Sequence, residues 1–142
     1  MAIIENAVFC RTQFEGIHCW PNAPQEVYYL RSPHRHIFNI EVQIDVETND
    51  REIEFIMLKH EVDCWINNAV VAQKERTGRV WDLGSTSCEC LANSLANFLH
   101  AKYQYRNIYV EVNEDGENGA RLWLHPDYKL TDDDLEDLLD DN

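Results

Sequence analysis

Apolar and polar residues alternate most regularly between His34 and Val46, where only Ile37 departs from the pattern. A period of two over this length predicts a strand of an antiparallel sheet with one buried face. His34 and His36 lie on the same side of that strand as its apolar residues, because side chains two positions apart point the same way. The segment Ala7–His18 alternates more weakly and predicts a second strand of the same kind.

The periodicity changes after a polar turn at residues 48–50 and a short predicted strand at residues 52–55. From residue 57 to about residue 72 the apolar residues recur every three or four positions, which predicts a helix. Residues 73–84 contain two glycines and are predicted to form a connecting loop.

A second helix is expected to begin at Thr86, with Glu89 three positions later as in a capping box, so Glu89 is given a structural role. Two strands follow, at residues 107–114 and 120–124, on either side of a turn at Asp115-Gly116. The order β-β-β-α-α-β-β predicts an α+β domain with its helices on one face of an antiparallel sheet.

The chain has 142 residues, of which 44% are hydrophobic, and these values suit one compact domain. We expect this domain at residues 1–128 and an acidic tail at 129–142, because seven acids lie in the last eleven positions. The tail leucines recur at helical spacing, which predicts a short amphipathic helix that either solubilises the chain or docks on a partner. The formal charge of −14 excludes a general nucleic-acid binder, since it repels phosphate backbones.

Location in the cell is constrained by hydropathy and by the cysteines. No apolar run reaches the roughly 18 residues that span a bilayer, and the amino terminus lacks the features of a signal peptide. The five cysteines are odd in number and contain no C-x-x-C pair, so they predict neither a disulfide framework nor a cysteine zinc site. We expect a cytoplasmic protein with free thiols and no membrane partner.

The histidines carry the clearest chemical signal. The rings of His34 and His36 project from one face about 7 Å apart along the strand, within reach of one metal ion. His18 ends the preceding strand, and a hairpin-like return would bring it beside the pair. Three neutral imidazoles leave zinc a fourth position open, as in catalytic sites. The alternative is that hydrogen bonds satisfy these histidines, as in a metal-free interaction module. His60, His100 and His125 are predicted to be surface residues.

Several segments carry recognisable motifs in chain order. They are Phe14–His18, Pro33–Phe38, Glu54–Lys59, Ser87–Ala92, and Glu114 with Gly119 five positions later. Together they resemble the F-x-x-A-H, H-G-H-x-Y/F, D-F-x-x-L-K, P-T-x-E-x-L-A and final glutamate blocks of the 6-pyruvoyl/6-carboxytetrahydropterin synthases. The resemblance extends from about residue 7 to residue 124.

This resemblance implies the tunnelling fold, with an antiparallel four-stranded sheet and two helices on one face. It implies Zn²⁺ held by His18, His34 and His36, and a homo-oligomer with its site at the subunit interface. The implied substrate is dihydroneopterin triphosphate or a related pterin or purine-like molecule. The implied reaction is a carbon–oxygen lyase step towards biopterin or towards 7-deazaguanines such as queuosine.

The resemblance also implies substrate-binding residues: Glu114 would anchor the pterin ring, with Ser87 and Cys88 beside it. The sequence itself supports a ligand at Glu114, because this carboxylate shares strand parity with buried residues and would need hydrogen-bond donors. The alternative is that Glu114 is only an acid at the start of the Asp115-Gly116 turn.

The chain departs from the family at the groups that move protons. Leu30 stands where the family has its catalytic cysteine, and no histidine occurs between Cys64 and Trp81, where its Asp-His pair is expected. The catalytic residue is therefore unassigned. Candidates for a substitute are Cys19, Cys88, Glu26, Tyr28 and Tyr29. The departures leave open a second function, a catalytically degenerate member that binds or sequesters a pterin or purine-like molecule without turnover.

Overall fold

A computed structural model describes the chain at residues 2–70, 76–77, 80–127 and 133. Its strands are β1 (Asn6–His18), β2 (His34–Val46), β3 (Arg76–Thr77), β4 (Val80–Gly84), β5 (Ile108–Glu114) and β6 (Asn118–Leu124). Its helices are α1 (Phe55–Trp65) and α2 (Cys88–Lys102), with a 3-10 helix at Gln25–Arg31 and a π-helical turn at Ile66–Val70. The predicted tail helix lies outside the described residues, apart from the exposed Asp133.

The strands form one mixed sheet in the order β3-β4-β1-β2-β5-β6. Neighbouring strands are antiparallel, except that β1 and β4 run parallel. The α+β class is therefore confirmed, but the prediction of an antiparallel four-stranded sheet is wrong. Residues 80–84 were predicted to be loop, yet they form β4, with Trp81 and Leu83 buried. This strand returns to β1 through the crossover that contains α1, so its pairing partner is remote in sequence.

Two local predictions are also wrong. No strand forms at residues 52–55, because Glu54 caps α1 instead, its Oε2 accepting a hydrogen bond from Met57 N at 2.7 Å. The cap of α2 is Ser87 rather than Thr86, with Ser87 Oγ accepting from Cys90 N at 3.1 Å. The shift by one residue removes Glu89 from the capping-box position.

The core lies between one face of the sheet and the two helices. Alternate residues of β1, β2 and β5 point to this face, and Phe14 stacks on Phe38 with ring centroids 5.3 Å apart. Leu58 and Val62 of α1 and Leu95 of α2 are fully buried against it. Both helices thus cover the same face, which follows from the period-two pattern of the strands and the three-and-four pattern of the helices.

The opposite face of the sheet is polar. Charged side chains pair across the strands there, as Arg11 does with Glu41 and Arg121 with Glu111, both at 2.7 Å. No helix in the described part of the chain is long and apolar enough to cross a membrane. The helices of the described residues cover the apolar face of the sheet and not the polar one.

Candidate metal centre

Two paired strands bring three histidines together. His18, the last residue of β1, is directly opposite His34, the first residue of β2, and His36 follows two positions later on the same face. The ring centroids are 4.6 Å apart for His18 and His34, 4.9 Å for His34 and His36, and 5.5 Å for His18 and His36. The structure therefore assembles the predicted cluster from cross-strand neighbours.

Each of these rings places its Nδ1 against a hydrogen-bond acceptor. His18 Nδ1 lies 2.9 Å from Thr86 O, His34 Nδ1 lies 2.9 Å from Ser32 O, and His36 Nδ1 lies 2.7 Å from Asp115 Oδ2. A carbonyl or carboxylate can only accept, so Nδ1 carries the proton and a neutral ring keeps its lone pair on Nε2.

The remaining nitrogens suit a metal ion. One ligand atom from each histidine lies within 4.8 Å of the others. His36 Nε2 is buried and has no hydrogen-bond partner, which would be costly unless a cation binds it. Three imidazole nitrogens form a donor set that suits zinc, and their Nδ1 partners resemble the outer shell of zinc sites. The three residues thus fit the metal that the sequence predicts.

Asp115 has a role that the sequence analysis missed. It begins a tight turn in which Asp115 and Gly116 have φ angles of 58° and 77°, and Glu117 N donates to Glu114 O at 3.0 Å. Its carboxylate accepts from Ile37 N at 2.8 Å and contacts His36 Nδ1. These hydrogen bonds hold the pKa of Asp115 below its ordinary value, and the one from Ile37 N has the largest effect. The sequence showed the turn, but not that it reaches β2.

Glu114 ends β5 opposite Phe38, so it is not merely a turn residue. Its Oε1 lies 3.0 Å from His18 Nε2, and its Oε2 lies 3.4 Å from His36 Nε2. The second contact has the distance of an ion pair but not the geometry of a hydrogen bond, in keeping with the lack of a partner for His36 Nε2. Glu114 therefore places its carboxylate against two of the three imidazoles.

Cys88 lies on the other side of the same carboxylate. Its Sγ is 3.8 Å from Glu114 Oε1 and donates a weak hydrogen bond to it. Burial, followed by the nearby charge of Glu114, raises the pKa of Cys88 to about 12. The thiol is therefore protonated at neutral pH and is a poor nucleophile.

A cavity of about 560 Å³ opens beside this cluster. Its lining contains two of the predicted metal ligands and all three predicted substrate-binding residues: His18, His34, Glu114, Ser87 and Cys88. The lining also includes residues that the sequence analysis did not assign to ligand binding: Trp20, Ser85, Thr86, Glu89 and Asn118. Most of these belong to irregular segments, which carry no periodic signal. The predicted binding roles of Glu114, Ser87 and Cys88 stay predictions.

The candidates for proton transfer divide into two groups. Cys19 and Cys88 line the cavity, as does Leu30 at the position where the resemblance expects a cysteine. Glu26, Tyr28 and Tyr29 belong to the 3-10 helix, are exposed and do not line the cavity.

The other three histidines lie away from the cluster. Of these predicted surface residues, His60 and His125 are exposed, and His100 is half-buried on α2.

Comparison with solved structures identifies the fold of this chain. No protein-family model and no curated protein matches this chain. Among solved structures, an uncharacterized protein from Wolinella succinogenes aligns with a TM-score of 0.66 at 11% identity, covering 85% of this chain and 99% of the other. The Plasmodium falciparum 6-pyruvoyl tetrahydropterin synthase aligns with a TM-score of 0.60 at 14% identity, covering 85% and 98%.

A Plasmodium vivax 6-pyruvoyltetrahydropterin synthase, described as a catalytic residue mutant, aligns with a TM-score of 0.58 at 13% identity, covering 87% and 99%. These structures are similar over nearly their whole length, and the sequence motifs point to the same family. At such low identity the likeness establishes the fold alone. The chain has the fold of the 6-pyruvoyl tetrahydropterin synthases.

Proposed function

We propose that this protein is a zinc-dependent 6-pyruvoyl/6-carboxytetrahydropterin synthase-like protein that acts on a pterin triphosphate. The observation that carries the proposal is the convergence of His18, His34 and His36 beside a cavity that also contains Glu114. The fold supports it, because two similar structures are named 6-pyruvoyl tetrahydropterin synthases. The reaction would be a carbon–oxygen lyase step, as on the routes to biopterin or queuosine.

The three histidines would hold zinc through Nε2, because their Nδ1 atoms are already hydrogen-bonded. When bound, zinc would polarise hydroxyl or carbonyl oxygens of the substrate side chain. His36 also contacts Asp115, whose carboxylate would orient the ring and increase its basicity.

Glu114 would bind the pterin ring. The guanidine-like edge of a pterin offers adjacent N–H donors, and a carboxylate accepts such a pair in bidentate fashion. Cys88 and Ser87 lie beside this position in the cavity. The Ser87 hydroxyl accepts from Cys90 N where it caps α2, and its O–H can still donate to a ligand.

Proton transfer requires a group other than Leu30, whose side chain cannot exchange a proton. The Plasmodium vivax structures are described as variants in which a catalytic glutamate is replaced. In this chain Glu89 lines the cavity and no longer has the capping-box role predicted for it. We therefore add Glu89 to Cys19 and Cys88 as a candidate acid or base.

The proposal includes a homo-oligomer with the cavity at a subunit interface, and a cytoplasmic location. The family resemblance supports the first, because members of that family build their site between chains. All five cysteines are free, which supports a reducing compartment.

A second candidate function is a protein that binds or sequesters a pterin or purine-like molecule without turnover. Leu30 favours it, because an apolar side chain lines the cavity where the resemblance expects the catalytic thiol. The metal centre and Glu114 would then bind the ligand without a group to move protons.

The test combines metal content with product analysis. We expect purified protein to bind one zinc per chain, His34→Ala to lose it, and the exposed control His60→Ala to keep it. Zinc-loaded protein is then incubated with dihydroneopterin triphosphate, and the products are identified by mass spectrometry. A 6-substituted tetrahydropterin supports the enzyme, and intact bound ligand supports the binding protein. Equal, near-zero zinc in wild type and His34→Ala would refute both.

A further inference from the structure

We infer that Glu114 is a fourth protein ligand of the metal when no substrate is bound, so that the centre is closed by a carboxylate. The inference rests on the proposed zinc site at His18, His34 and His36. It departs from the open fourth position predicted from the sequence. A ring ligand would then have to draw Glu114 away from the metal before the metal could meet the substrate side chain.

The charges around Glu114 support a cation at this position. The Nδ1 atoms of His18 and His36 face acceptors, so the lone pairs of the neutral rings lie on Nε2. Both Nε2 atoms nevertheless approach the carboxylate, at 3.0 and 3.4 Å. A lone pair and a carboxylate oxygen repel each other at such distances unless a positive charge lies between them.

One divalent cation satisfies all three lone pairs and the carboxylate together. It also provides a partner for His36 Nε2, which is buried without a hydrogen bond.

The contacts of Glu114 with two of the histidines are short enough for one ion to bridge. With zinc bonds of about 2.0 to 2.2 Å, neighbouring ligand atoms in a tetrahedron are separated by roughly 3.3 to 3.6 Å. Glu114 Oε1 lies 3.0 Å from His18 Nε2 and Glu114 Oε2 lies 3.4 Å from His36 Nε2, so each oxygen of the carboxylate approaches one ring at about this separation. Cys88 adds a hydrogen bond to Oε1, which helps to fix the carboxylate as outer-shell groups do.

One carboxylate cannot fully serve the metal and a ring ligand at once. Binding of a ring with adjacent N–H donors would weaken zinc binding, and zinc would weaken ring binding by the same factor. Substrate binding would thus open the metal centre to the substrate's own oxygens. In the absence of substrate, the centre stays saturated with protein ligands.

The test is the zinc affinity of the full chain, measured by competition with a chromophoric chelator. We expect Glu114→Gln to lower the affinity at least about tenfold, because even an outer-shell loss costs about 10- to 100-fold. Glu117→Gln is the matched control, since Glu117 is an exposed acid of the same hairpin. It should stay within about twofold of wild type, the small change expected when an exposed charge is removed. Glu114→Asp keeps a carboxylate and should lie between the two.

A second readout uses cobalt in place of zinc. We expect the visible absorption spectrum of the cobalt protein to differ between wild type and Glu114→Gln, and to change in wild type when neopterin is added. Wild-type zinc affinity in Glu114→Gln with a lost site in His34→Ala would overturn the inference and leave the proposed function standing. Equally weak zinc binding by wild type and His34→Ala would overturn both.

Discussion

Each histidine of the cluster uses one ring nitrogen for the fold and leaves the other for a ligand. The acceptors for Nδ1 come from the segments before α2 and β2 and from the turn after β5, at Thr86, Ser32 and Asp115. The tautomer of each ring is therefore set by a protein acceptor, a backbone carbonyl for His18 and His34 and the Asp115 carboxylate for His36. A site arranged in this way can bind a cation without first rotating its rings.

The first prediction concerns Asp115→Asn. Asparagine tolerates the positive φ of this position, and its amide oxygen still accepts from Ile37 N, so the turn is kept. Its amide nitrogen, however, cannot accept the proton of His36 Nδ1. We expect zinc affinity to fall about 10- to 100-fold, as for other outer-shell losses. Chelator competition measures the change.

Asp50→Asn is the matched control for this variant. Asp50 is an exposed acid just beyond the far end of β2, a strand of 13 residues that spans about 40 Å. Its removal changes the net charge equally and should leave zinc affinity unchanged. If Asp115→Asn also binds zinc like wild type, Asp115 does not position His36.

The second prediction concerns thiol reactivity. The pKa of Cys88 is raised to about 12, so at pH 8 only about 1 thiol in 10⁴ is ionised. We expect iodoacetamide to modify the exposed Cys64 and Cys90 first, and Cys88 only after unfolding. Peptide mass spectrometry with time resolves these sites. Native Cys88 labelled as fast as Cys90 would contradict the raised pKa and would show a reactive thiol in the cavity.

The raised pKa of Cys88 also makes the free energy of unfolding depend on pH. The pKa of Cys88 is raised on folding above its ordinary value of 9.0, so the folded state favours the neutral thiol. Its contribution to stability is fully present below pH 9 and is lost as the pH rises from about 9 towards 12. Cys10, with a pKa raised to about 11 mainly by burial, acts in the same direction.

Among the elements, the β5–β6 hairpin supplies the two carboxylates that contact the histidines. It positions Glu114 and Asp115 and lines the cavity with Asn118 and Gly119. Gly119 lies so close to β5 that an added Cβ would be 2.2 Å from Val112 O. Glycine is required here for a close approach of two backbones, and the register of the hairpin depends on that approach.

The third prediction compares two glycines of this hairpin. In Gly119→Ala the new methyl would meet the β5 backbone, which cannot move aside as a side chain would. We expect a loss of about 3 kcal/mol in the free energy of unfolding, the upper end of the usual cost of overpacking. Gly116→Ala meets no atom within 4 Å and has only the strain of φ +77°, which costs about 1 kcal/mol. Urea denaturation of both variants measures the difference, and equal losses would contradict it.

The elements differ in how far the sequence predicted them. β2 was predicted at its observed bounds because thirteen residues alternate and one face is buried. The histidine cluster followed from the same alternation, extended to β1. β4 was missed because five residues next to glycines carry too weak a pattern, and its pairing with β1 depends on a distant part of the chain. Asp115 was missed for the same reason, since its contact with His36 joins residues 79 positions apart.

In the part of the chain that the structure describes, β3 and β6 form the two outer edges of the sheet. β6 lies at one edge, and its first residues line the cavity. An edge strand presents unpaired backbone groups that can pair with another chain. A second copy placed there would stand beside the cavity, which is consistent with the proposed homo-oligomer.

The last prediction concerns the assembly of these acidic chains. Each copy carries a formal charge of −14, so association must overcome repulsion. That repulsion is screened as the Debye length falls from about 30 Å at 0.01 M salt to about 10 Å at 0.1 M. We therefore expect the oligomer fraction, measured by sedimentation, to rise with salt. A chain truncated after residue 128 loses seven acids and should assemble with less dependence on salt. Dissociation by salt would show that ion pairs dominate the interface, and a monomer under all conditions would overturn the oligomer proposal.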